Sequence, residues 1–303
     1  MKRSVGLIAI GMLCTVGAGV VPAEAQNTPL RIIAFGAHPD DNELRLAGTA
    51  AKWAALGHQV KFVAVTNGDI GHWREAGGPL ARRRTAESME TAKILGITMQ
   101  VLDIHDGELE PTLENRRTIT RLIRDWKADI VLGHRPNDYH PDHRAVGQLI
   151  QDASYMVTVP FFCPDTPHLE RNPLFMSYED NFTRPNPFRA DVVVAIDDVL
   201  EKKLAAVEAL PSQFYEGGAN GGPQLVPTDD AGKARRKKEV LDSFTRRFGG
   251  TANKYRDKLR ELYGAERGGA ATAAEAFEVS EYGRRPNADE IKRLFPFFPA
   301  AAK

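Results

Sequence analysis

The chain has 303 residues, enough to bury a sizeable core in one large domain or two small ones. Hydrophobic residues make up 42% and charged residues 26%, which is ordinary for a globular protein. The 40 basic and 40 acidic residues give a formal net charge of zero. This balance offers no electrostatic attraction to nucleic acid or to an anionic membrane surface, so we expect neither as a partner.

The first 25 residues differ from the rest of the chain. Lys2-Arg3 gives a basic start, an apolar run covers residues 5–21, and Ala23-Glu24-Ala25 has the small residues of a cleavage site. This pattern predicts a secretory signal peptide over residues 1–25, cleaved after Ala25, and a periplasmic or secreted mature protein with no stable membrane insertion. The alternative is an uncleaved membrane anchor, because the apolar run is near the lower length for spanning a bilayer.

Apolar runs and helical stretches alternate through the next part of the chain. Predicted strands cover residues 30–37, 59–66, 99–104, 129–133 and 191–196, and predicted helices cover residues 42–56, 81–95, 113–127, 144–155 and 199–210. The alternation predicts an α/β fold with a Rossmann-like, mostly parallel sheet flanked by helices. No G-x-G-x-x-G follows the first strand, so we expect no dinucleotide site. In such sheets ligands bind beyond the carboxyl ends of the strands.

The remaining segments have weaker patterns. Residues 161–188 are rich in proline and aromatic residues and predict a long loop, and residues 219–230 predict a second one. Residues 231–263 predict a charged helical pair broken at Gly249-Gly250. The basic run at residues 233–238 is interpreted as a solvated helix face, with an anion-binding patch as the alternative.

Two polar clusters follow the first and fourth predicted strands. They are His38-Pro39-Asp40-Asp41-Asn42-Glu43 and Asp138-Tyr139-His140-Pro141-Asp142-His143. Each combines at least one imidazole with carboxylates, and both fall where the topology places ligand-binding loops. Carboxylates at such positions also cap helices, so the alternative is that Asp40 or Asp41 is simply the N-cap of the first helix. Two such clusters on one sheet favour a metal site over capping alone.

The residue types suit hydrolytic zinc chemistry. A catalytic zinc site uses three protein ligands and keeps a fourth position open. Two imidazoles and one carboxylate would come from His38, Asp41 and His143. This ligand set has no thiol and binds zinc, and it would also bind iron or cobalt.

Three further residues of the two clusters have the chemistry that turnover needs. Asp40, beside the predicted ligand set, would be free to take a proton from the attacking water. His140 would stabilise the developing oxyanion. Asp142 would orient His140 through the second nitrogen of its ring.

The same clusters resemble the motifs of a known family. HPDDNE at residues 38–43, with HPDH at residues 140–143, is similar to the PIG-L or LmbE-like deacetylases, zinc enzymes that remove acetyl groups from N-acetylglucosamine units. The resemblance spans residues 31–152 and implies a Rossmann-like fold and one zinc ion per chain. It also implies the roles of the site residues: His38, Asp41 and His143 as metal ligands, Asp40 as general base, and His140, with its partner Asp142, at the tetrahedral intermediate.

Further positions match residues that touch substrate in relatives. The resemblance implies that Arg84 and Asp106 contact sugar hydroxyls. Relatives that act on small sugars carry a tyrosine two residues before the first histidine of HPDH, whereas Tyr139 here stands directly before it. We treat Tyr139 as a substrate-binding candidate.

The prediction for the whole chain follows from these pieces. Residues 26–303 are expected to form a single domain with a helical C-terminal part, about residues 211–303, that diverges from the family. The expected reaction is zinc-dependent removal of an N-acyl group, N-acetyl above all, from a sugar or glycoconjugate. Two alternatives stay open: the same zinc site could cleave a non-sugar amide such as an amino-acid conjugate, or the chain could be a non-catalytic carbohydrate-binding protein.

Overall fold

The computed structural model describes residues 28–299. The predicted signal peptide and its cleavage site lie outside these residues. Within the described part of the chain, no helix combines the length and the apolar character needed to cross a membrane.

Seven strands form a single sheet. They are β1 (Arg31–Gly36), β2 (Gln59–Ala64), β3 (Thr98–Val101), β4 (Ile130–Gly133), β5 (Leu174–Tyr178), β6 (Val192–Ala195) and β7 (Ala274–Gly283). Their order across the sheet is β3-β2-β1-β4-β5-β7-β6. The pairings among β1 to β5 are parallel, and β7 runs antiparallel to both β5 and β6. The predicted mostly parallel sheet is confirmed.

Ten α-helices surround this sheet in the described residues. They are α1 (Asp41–Ala55), α2 (Gly77–Leu95), α3 (Leu113–Trp126), α4 (Pro141–Met156), α5 (Leu200–Glu208), α6 (Pro211–Phe214), α7 (Asp230–Lys254), α8 (Arg256–Tyr263), α9 (Ala265–Ala270) and α10 (Ala288–Leu294). Alternate residues of β1 enter two separate cores: Ile32 faces a core that α1 and the C-terminal helices help to build, and Ile33 faces a core with α3 and α4. A strand covered on both faces explains the continuous apolar run in the sequence.

Three sequence predictions in the C-terminal half are corrected. β5 lies inside the predicted 161–188 loop, and β7 follows the predicted helical pair, where no strand was predicted. α7 continues through Gly249-Gly250 and ends at Lys254. Two glycines weaken a helix by about 1 kcal/mol each relative to alanine, but the flanking Phe248 and Ala252 are buried in the core and hold this helix in place.

A buried ion pair between β7 and α5 also holds α1, the helix that follows β1, through hydrogen bonds. The carboxylate of Glu275 accepts the backbone N–H groups of Gly48, at 2.9 Å, and Thr49, at 2.7 Å, within α1. The Lys203 ammonium pairs with the same carboxylate and donates to the carbonyl of Leu44 at 2.8 Å. A Cβ at position 48 would lie 2.7 Å from the Ile196 side chain, so glycine is required for this close approach.

Candidate metal centre

Two neighbouring strands bring the predicted clusters together. β1 and β4 pair in parallel, and each is followed by a short loop and a helix, α1 and α4. Because the carboxyl ends of parallel strands meet at one edge of the sheet, His38 and His143 become neighbours although 105 positions separate them.

Three side chains converge at the centre of this edge. Nδ1 of His38 lies 3.2 Å from Nε2 of His143 and 3.5 Å from Oδ2 of Asp41. Nε2 of His143 lies 3.4 Å from Oδ1 of Asp41. Tetrahedral zinc bonds of about 2.0–2.2 Å place ligand atoms about 3.3–3.6 Å apart, so the spacing and the N, N, O donor set fit a zinc-sized ion. The structure thus brings the three predicted ligands together.

The electrostatics of the centre also favour a cation. Burial alone would lower the pKa of His38, but hydrogen bonds to Asp106, Asp142 and Asp41 outweigh it and raise that pKa well above its usual value. Burial would raise the pKa of Asp41, yet the charges of His143 and its neighbours hold it well below its usual range. A buried carboxylate that stays ionised beside two imidazoles is suited to a divalent metal.

The outer ring nitrogens of both histidines are held by carboxylates. Nε2 of His38 lies 3.1 Å from Asp142 and 3.1 Å from Asp106. Nδ1 of His143 lies 3.0 Å from Oδ1 of Asp138. Such partners fix which nitrogen faces the metal, Nδ1 of His38 and Nε2 of His143, and orient the two rings. Sequence reasoning assigned no partner to His143, although Asp138 belongs to the same cluster.

The structure gives the side chain of Asp142 partners other than the predicted one. Its fully buried carboxylate accepts the backbone N–H groups of Gly107, at 2.7 Å, and Leu109, at 3.2 Å, and faces His38. Its contact with His140 is through the backbone, because the Asp142 N–H donates to Nδ1 of His140 at 3.2 Å. The carboxylate of Asp142 thus contacts a predicted metal ligand and the loop after β3, and its predicted partnership with His140 stays a prediction.

Asp40 occupies the N-cap position of α1 but makes no capping bond with its side chain. The capping alternative therefore leaves its carboxylate unexplained. Oδ1 of Asp40 lies 3.7 Å from the Arg84 guanidinium. Burial and the negative charge of Asp41 raise the pKa of Asp40, while Arg84 opposes them. A carboxylate beside the ligand set with a raised pKa is suited to accept a proton.

His140 caps α4 through its ring and faces the same centre. Because Nδ1 accepts the Asp142 N–H, the proton of a neutral ring lies on Nε2. Burial and the neighbouring charges of His38 and His143 lower the pKa of His140. A neutral ring with a free Nε2–H still provides the hydrogen bond that a developing oxyanion needs.

The predicted sugar contacts, Arg84 and Asp106, lie deeper than expected. Their exposed fractions are 2% and 6%. The Arg84 guanidinium donates to the carbonyl of Gly68 at 3.0 Å and lies 3.7 Å from Asp106, which in turn faces His38. Both side chains are buried among the residues of the centre, and their predicted contacts with a sugar stay a prediction.

Two aromatic residues stand at the rim of the centre. Tyr139 is 72% exposed, and its ring centroid lies 5.5 Å from that of His143 and 6.3 Å from that of Phe182. The loop that carries Phe182 is fastened by Arg135, which binds Asp180 at 2.7 Å and the carbonyl of Phe182 at 3.2 Å. Tyr139 is thus accessible to a ligand, as its predicted role requires, and Phe182 adds a wall that the sequence did not reveal.

A further histidine lies behind the ligands. The His134 ring stacks on His143 with centroids 4.0 Å apart, and its Nε2 lies 3.3 Å from Oδ2 of Asp41. Ala37 donates its backbone N–H to the same nitrogen at 3.3 Å. Burial lowers the pKa of His134. The neutral ring therefore packs against the centre, directly after the end of β4 at Gly133.

Known proteins are similar to this chain in sequence and in fold. Residues 33–154 match the family model described as PIG-L, GlcNAc-PI de-N-acetylase. The diacetylchitobiose deacetylase of Thermococcus kodakarensis is 32% identical over 203 residues, covering 64% of this chain and 73% of the relative. The 4-oxalmesaconate hydratase of Pseudomonas putida is 26% identical over 198 residues, covering 62% of this chain and 76% of the relative.

A solved structure agrees with the fold. The N,N'-diacetylchitobiose deacetylase from Pyrococcus horikoshii superimposes with a TM-score of 0.62 at 23% identity, covering 82% of this chain and 83% of that one. At this identity the likeness concerns the fold. The match to the family model contains both clusters of the metal centre, and the 32% identity covers most of the Thermococcus kodakarensis relative. The chain belongs to the PIG-L family.

Proposed function

We propose that this protein is a zinc-dependent hydrolase that removes an N-acyl group, N-acetyl above all, from an amino sugar or glycoconjugate. The observation that carries the proposal is the convergence of His38, Asp41 and His143 within 3.5 Å of one another, with the uncapped carboxylate of Asp40 beside them. The relatives named for deacetylation of N-acetylated sugars support the substrate class.

The residues divide the work of amide hydrolysis. When bound, a zinc ion supplies a Lewis acid that polarises the acyl carbonyl and acidifies water. Asp40 accepts the proton of the attacking water and passes it to the departing amine. The Nε2–H of His140 donates a hydrogen bond to the oxygen that gains negative charge. Asp138 and Asp142 hold the rings of the two histidine ligands.

A second candidate is hydration of a carbon–carbon double bond. It is favoured by the relative named 4-oxalmesaconate hydratase, which is matched over 76% of its length. Metal, carboxylate base and imidazole would serve that reaction too, because it also adds water to an activated centre. The same zinc site acting on a non-sugar amide is the third candidate.

One experiment separates these reactions. Purified protein is loaded with zinc and incubated with N-acetylglucosamine, diacetylchitobiose, N-acetyl amino acids and an unsaturated dicarboxylate, and released acetate and lost double-bond absorbance are measured. We expect acetate from the N-acetylated sugars and about one zinc per chain by elemental analysis. Dialysed His143→Ala should retain little metal and release no acetate. Double-bond hydration without acetate release would overturn the proposal, and full metal retention by His143→Ala would overturn the ligand assignment.

We also propose that the protein is exported and cleaved after Ala25. Support comes from the basic start, the apolar run and the Ala-Glu-Ala sequence. N-terminal sequencing of protein recovered from the cell envelope or medium should begin at Gln26. A retained Met1 in the membrane fraction would favour the anchor.

A further inference from the structure

The β2–α2 loop, residues 65–76, packs against residues of the metal centre. A Cβ at Gly71 would lie 2.6 Å from Nη1 of Arg84 and 2.9 Å from Oδ2 of Asp106, so the loop backbone lies directly on both side chains. Asp106 in turn lies 3.1 Å from Nε2 of His38, a predicted metal ligand. The position of this loop therefore determines the surroundings of two residues beside the predicted ligand set.

The brace, residues 211–221, is a segment of the C-terminal part that holds this loop. Nε2 of Gln213 donates to the carbonyl of Gly71 at 3.2 Å. The carbonyl of Gly218 accepts the backbone N–H of Trp73 at 2.9 Å. The loop residue that packs on the metal centre is thus hydrogen-bonded to a side chain 142 positions away in the sequence.

Glu216 joins the brace to the loop through a buried histidine. Its carboxylate lies 3.0 Å from Nε2 of His72, whose side chain is fully buried. Nδ1 of His72 accepts the backbone N–H groups of Arg74, at 3.3 Å, and Glu75, at 3.1 Å. The proton of a neutral ring therefore lies on Nε2, which donates it to Glu216. The imidazole thus connects the carboxylate of the brace to the backbone of the loop.

Glu216 also belongs to a partly buried network of charges that includes α2. Its carboxylate accepts both terminal nitrogens of Arg83, and these hydrogen bonds lower the pKa of Glu216. Arg83 also binds Glu75, on the loop, at 3.1 Å and Glu87, on α2, at 3.1 Å. Glu87 accepts the hydroxyl and the backbone N–H of Ser212, in the brace. Partly buried pairs are screened by salt less than exposed ones, so this network should keep the brace attached to the loop.

The loop is held by two different parts of the chain. Asp69 accepts the backbone N–H of Asp106 at 3.1 Å, a contact within residues 33–154, the segment that the family model matches. Gln213 and Glu216 lie outside that segment. When a binding surface is correctly placed for only part of the time, the apparent affinity for its ligand falls by that fraction. The contacts of the brace should therefore strengthen binding at the metal centre.

We propose that Gln213 and Glu216 are positioning residues, which hold the β2–α2 loop against Arg84 and Asp106 and thereby set the substrate affinity of the metal centre. The inference rests on the proposed function for the identity of the substrate. In the described part of the chain, the polar partners of both side chains lie in the loop and on α2. Their effect therefore passes through the loop, and we expect it in substrate binding more than in proton transfer.

Hydrogen exchange, followed by mass spectrometry, measures the loop without any substrate. Glu216→Gln keeps the size of the side chain and removes the charge that binds Arg83, so amides of the loop should exchange at least about 10-fold faster than in the wild type. A peptide from β1 should exchange at the wild-type rate. Glu208→Gln, on α5, is the matched control, because Glu208 contacts Lys237 and Tyr215 and leaves the contacts between brace and loop intact.

Acetate release from diacetylchitobiose by the zinc-loaded protein gives the second measurement. We expect Glu216→Gln to raise KM at least about 3-fold, because the loop is correctly placed in only a fraction of the molecules. The value of kcat should stay within about 2-fold of the wild type, with unchanged zinc content. Gln213→Ala removes one hydrogen bond and should raise KM by a smaller factor. A variant that is merely partly unfolded would instead lose kcat per mole of protein and keep its KM.

Loop exchange at the wild-type rate in Glu216→Gln would overturn the proposal, and so would an unchanged KM. Equal effects of Glu208→Gln and Glu216→Gln would also overturn it, because the cause would then be a general loss of packing. If Glu216→Gln does not fold, Gln213→Ala decides by the same criteria. If the wild type releases no acetate from any N-acetylated sugar, the deacetylase is refuted, and loop exchange alone decides whether the brace holds the loop.

Discussion

The two halves of this molecule contribute to the metal centre in different ways. Residues 31–156 supply the predicted ligands, base and imidazole from the loops and first helical turns that follow β1 and β4. Residues 174–283 supply support: Glu275 and Lys203 hold α1 in place, and Phe182 stands at the rim of the metal centre. Chemistry therefore lies in short contiguous motifs at strand ends, whereas stability and access depend on residues that only the folded chain brings near.

The largest effect of a single substitution is expected in the first half of the molecule. Asp40→Asn keeps the size of the side chain and removes the proton acceptor, so turnover of an N-acetylated sugar should fall about 10²–10⁴-fold. Elemental analysis should find unchanged zinc, since Asp40 is not among the three ligands. Near-normal turnover would mean that another carboxylate accepts the proton, and Asp138 would be the first to test.

A substitution in the second half of the molecule should mainly lower the free energy of unfolding. Glu275→Gln leaves the Lys203 ammonium buried without a counter-charge and weakens the acceptor of two α1 N–H groups. Breaking a buried pair in this way costs about 3–5 kcal/mol. Urea unfolding followed by circular dichroism should show that loss. Glu281→Gln, on the exposed part of β7, is the matched control and should change stability by less than about 0.5 kcal/mol. A similar midpoint for both variants would contradict the assigned role of Glu275.

Metal affinity should respond to the carboxylates behind the ligands. Asp138→Asn and Asp142→Asn each remove a charged partner of a ligand ring, so zinc affinity should fall about 10–100-fold. Competition with a chromophoric chelator measures it. Asp152→Asn, on α4 and paired with Arg116, should bind zinc like the wild type. If Asp142→Asn left zinc affinity unchanged and altered only turnover, the predicted partnership with His140 would be restored.

The smallest effect concerns the loops after β2 and β3. Nδ1 of His105 lies 2.7 Å from the carboxylate of Asp69, and this hydrogen bond raises the pKa of His105. The proton is held more tightly in the folded state, so the pairing stabilises the fold below the unfolded pKa of about 6.5 and is lost as pH rises through the folded value. NMR titration should place the His105 midpoint above 6.5, and Asp69→Asn should lower it. Burial lowers the pKa of His58, which serves as an internal control in the same spectra.

The elements and site residues that could be predicted from the sequence are those with a local pattern. β1 and β2 are visible because both their faces are buried, which leaves uninterrupted apolar runs, and the ligand set is visible because histidine and aspartate follow two such runs. The sequence does not predict β7, because half of this strand carries polar residues. Its extended form depends on pairing with β5 and β6. The sequence does not predict which imidazole ring the Asp142 carboxylate contacts, because His38 and His140 are both candidates. Which of them it meets is decided by Gly107 and Leu109, more than thirty positions away.

The position of β7 between β5 and β6 has a consequence for the order in which the sheet is assembled. β6 is complete at Ala195, but its hydrogen-bonded neighbour among the described strands is β7, which begins at Ala274. A nascent chain that has emerged only as far as α5 contains β1 to β5 and both clusters of the metal centre, yet β6 still lacks its partner. Chains truncated before residue 274 should therefore bind zinc weakly or transiently and expose β5 as an open edge, a surface prone to association. The sheet is therefore completed only when β7, near the end of the chain, has been synthesised.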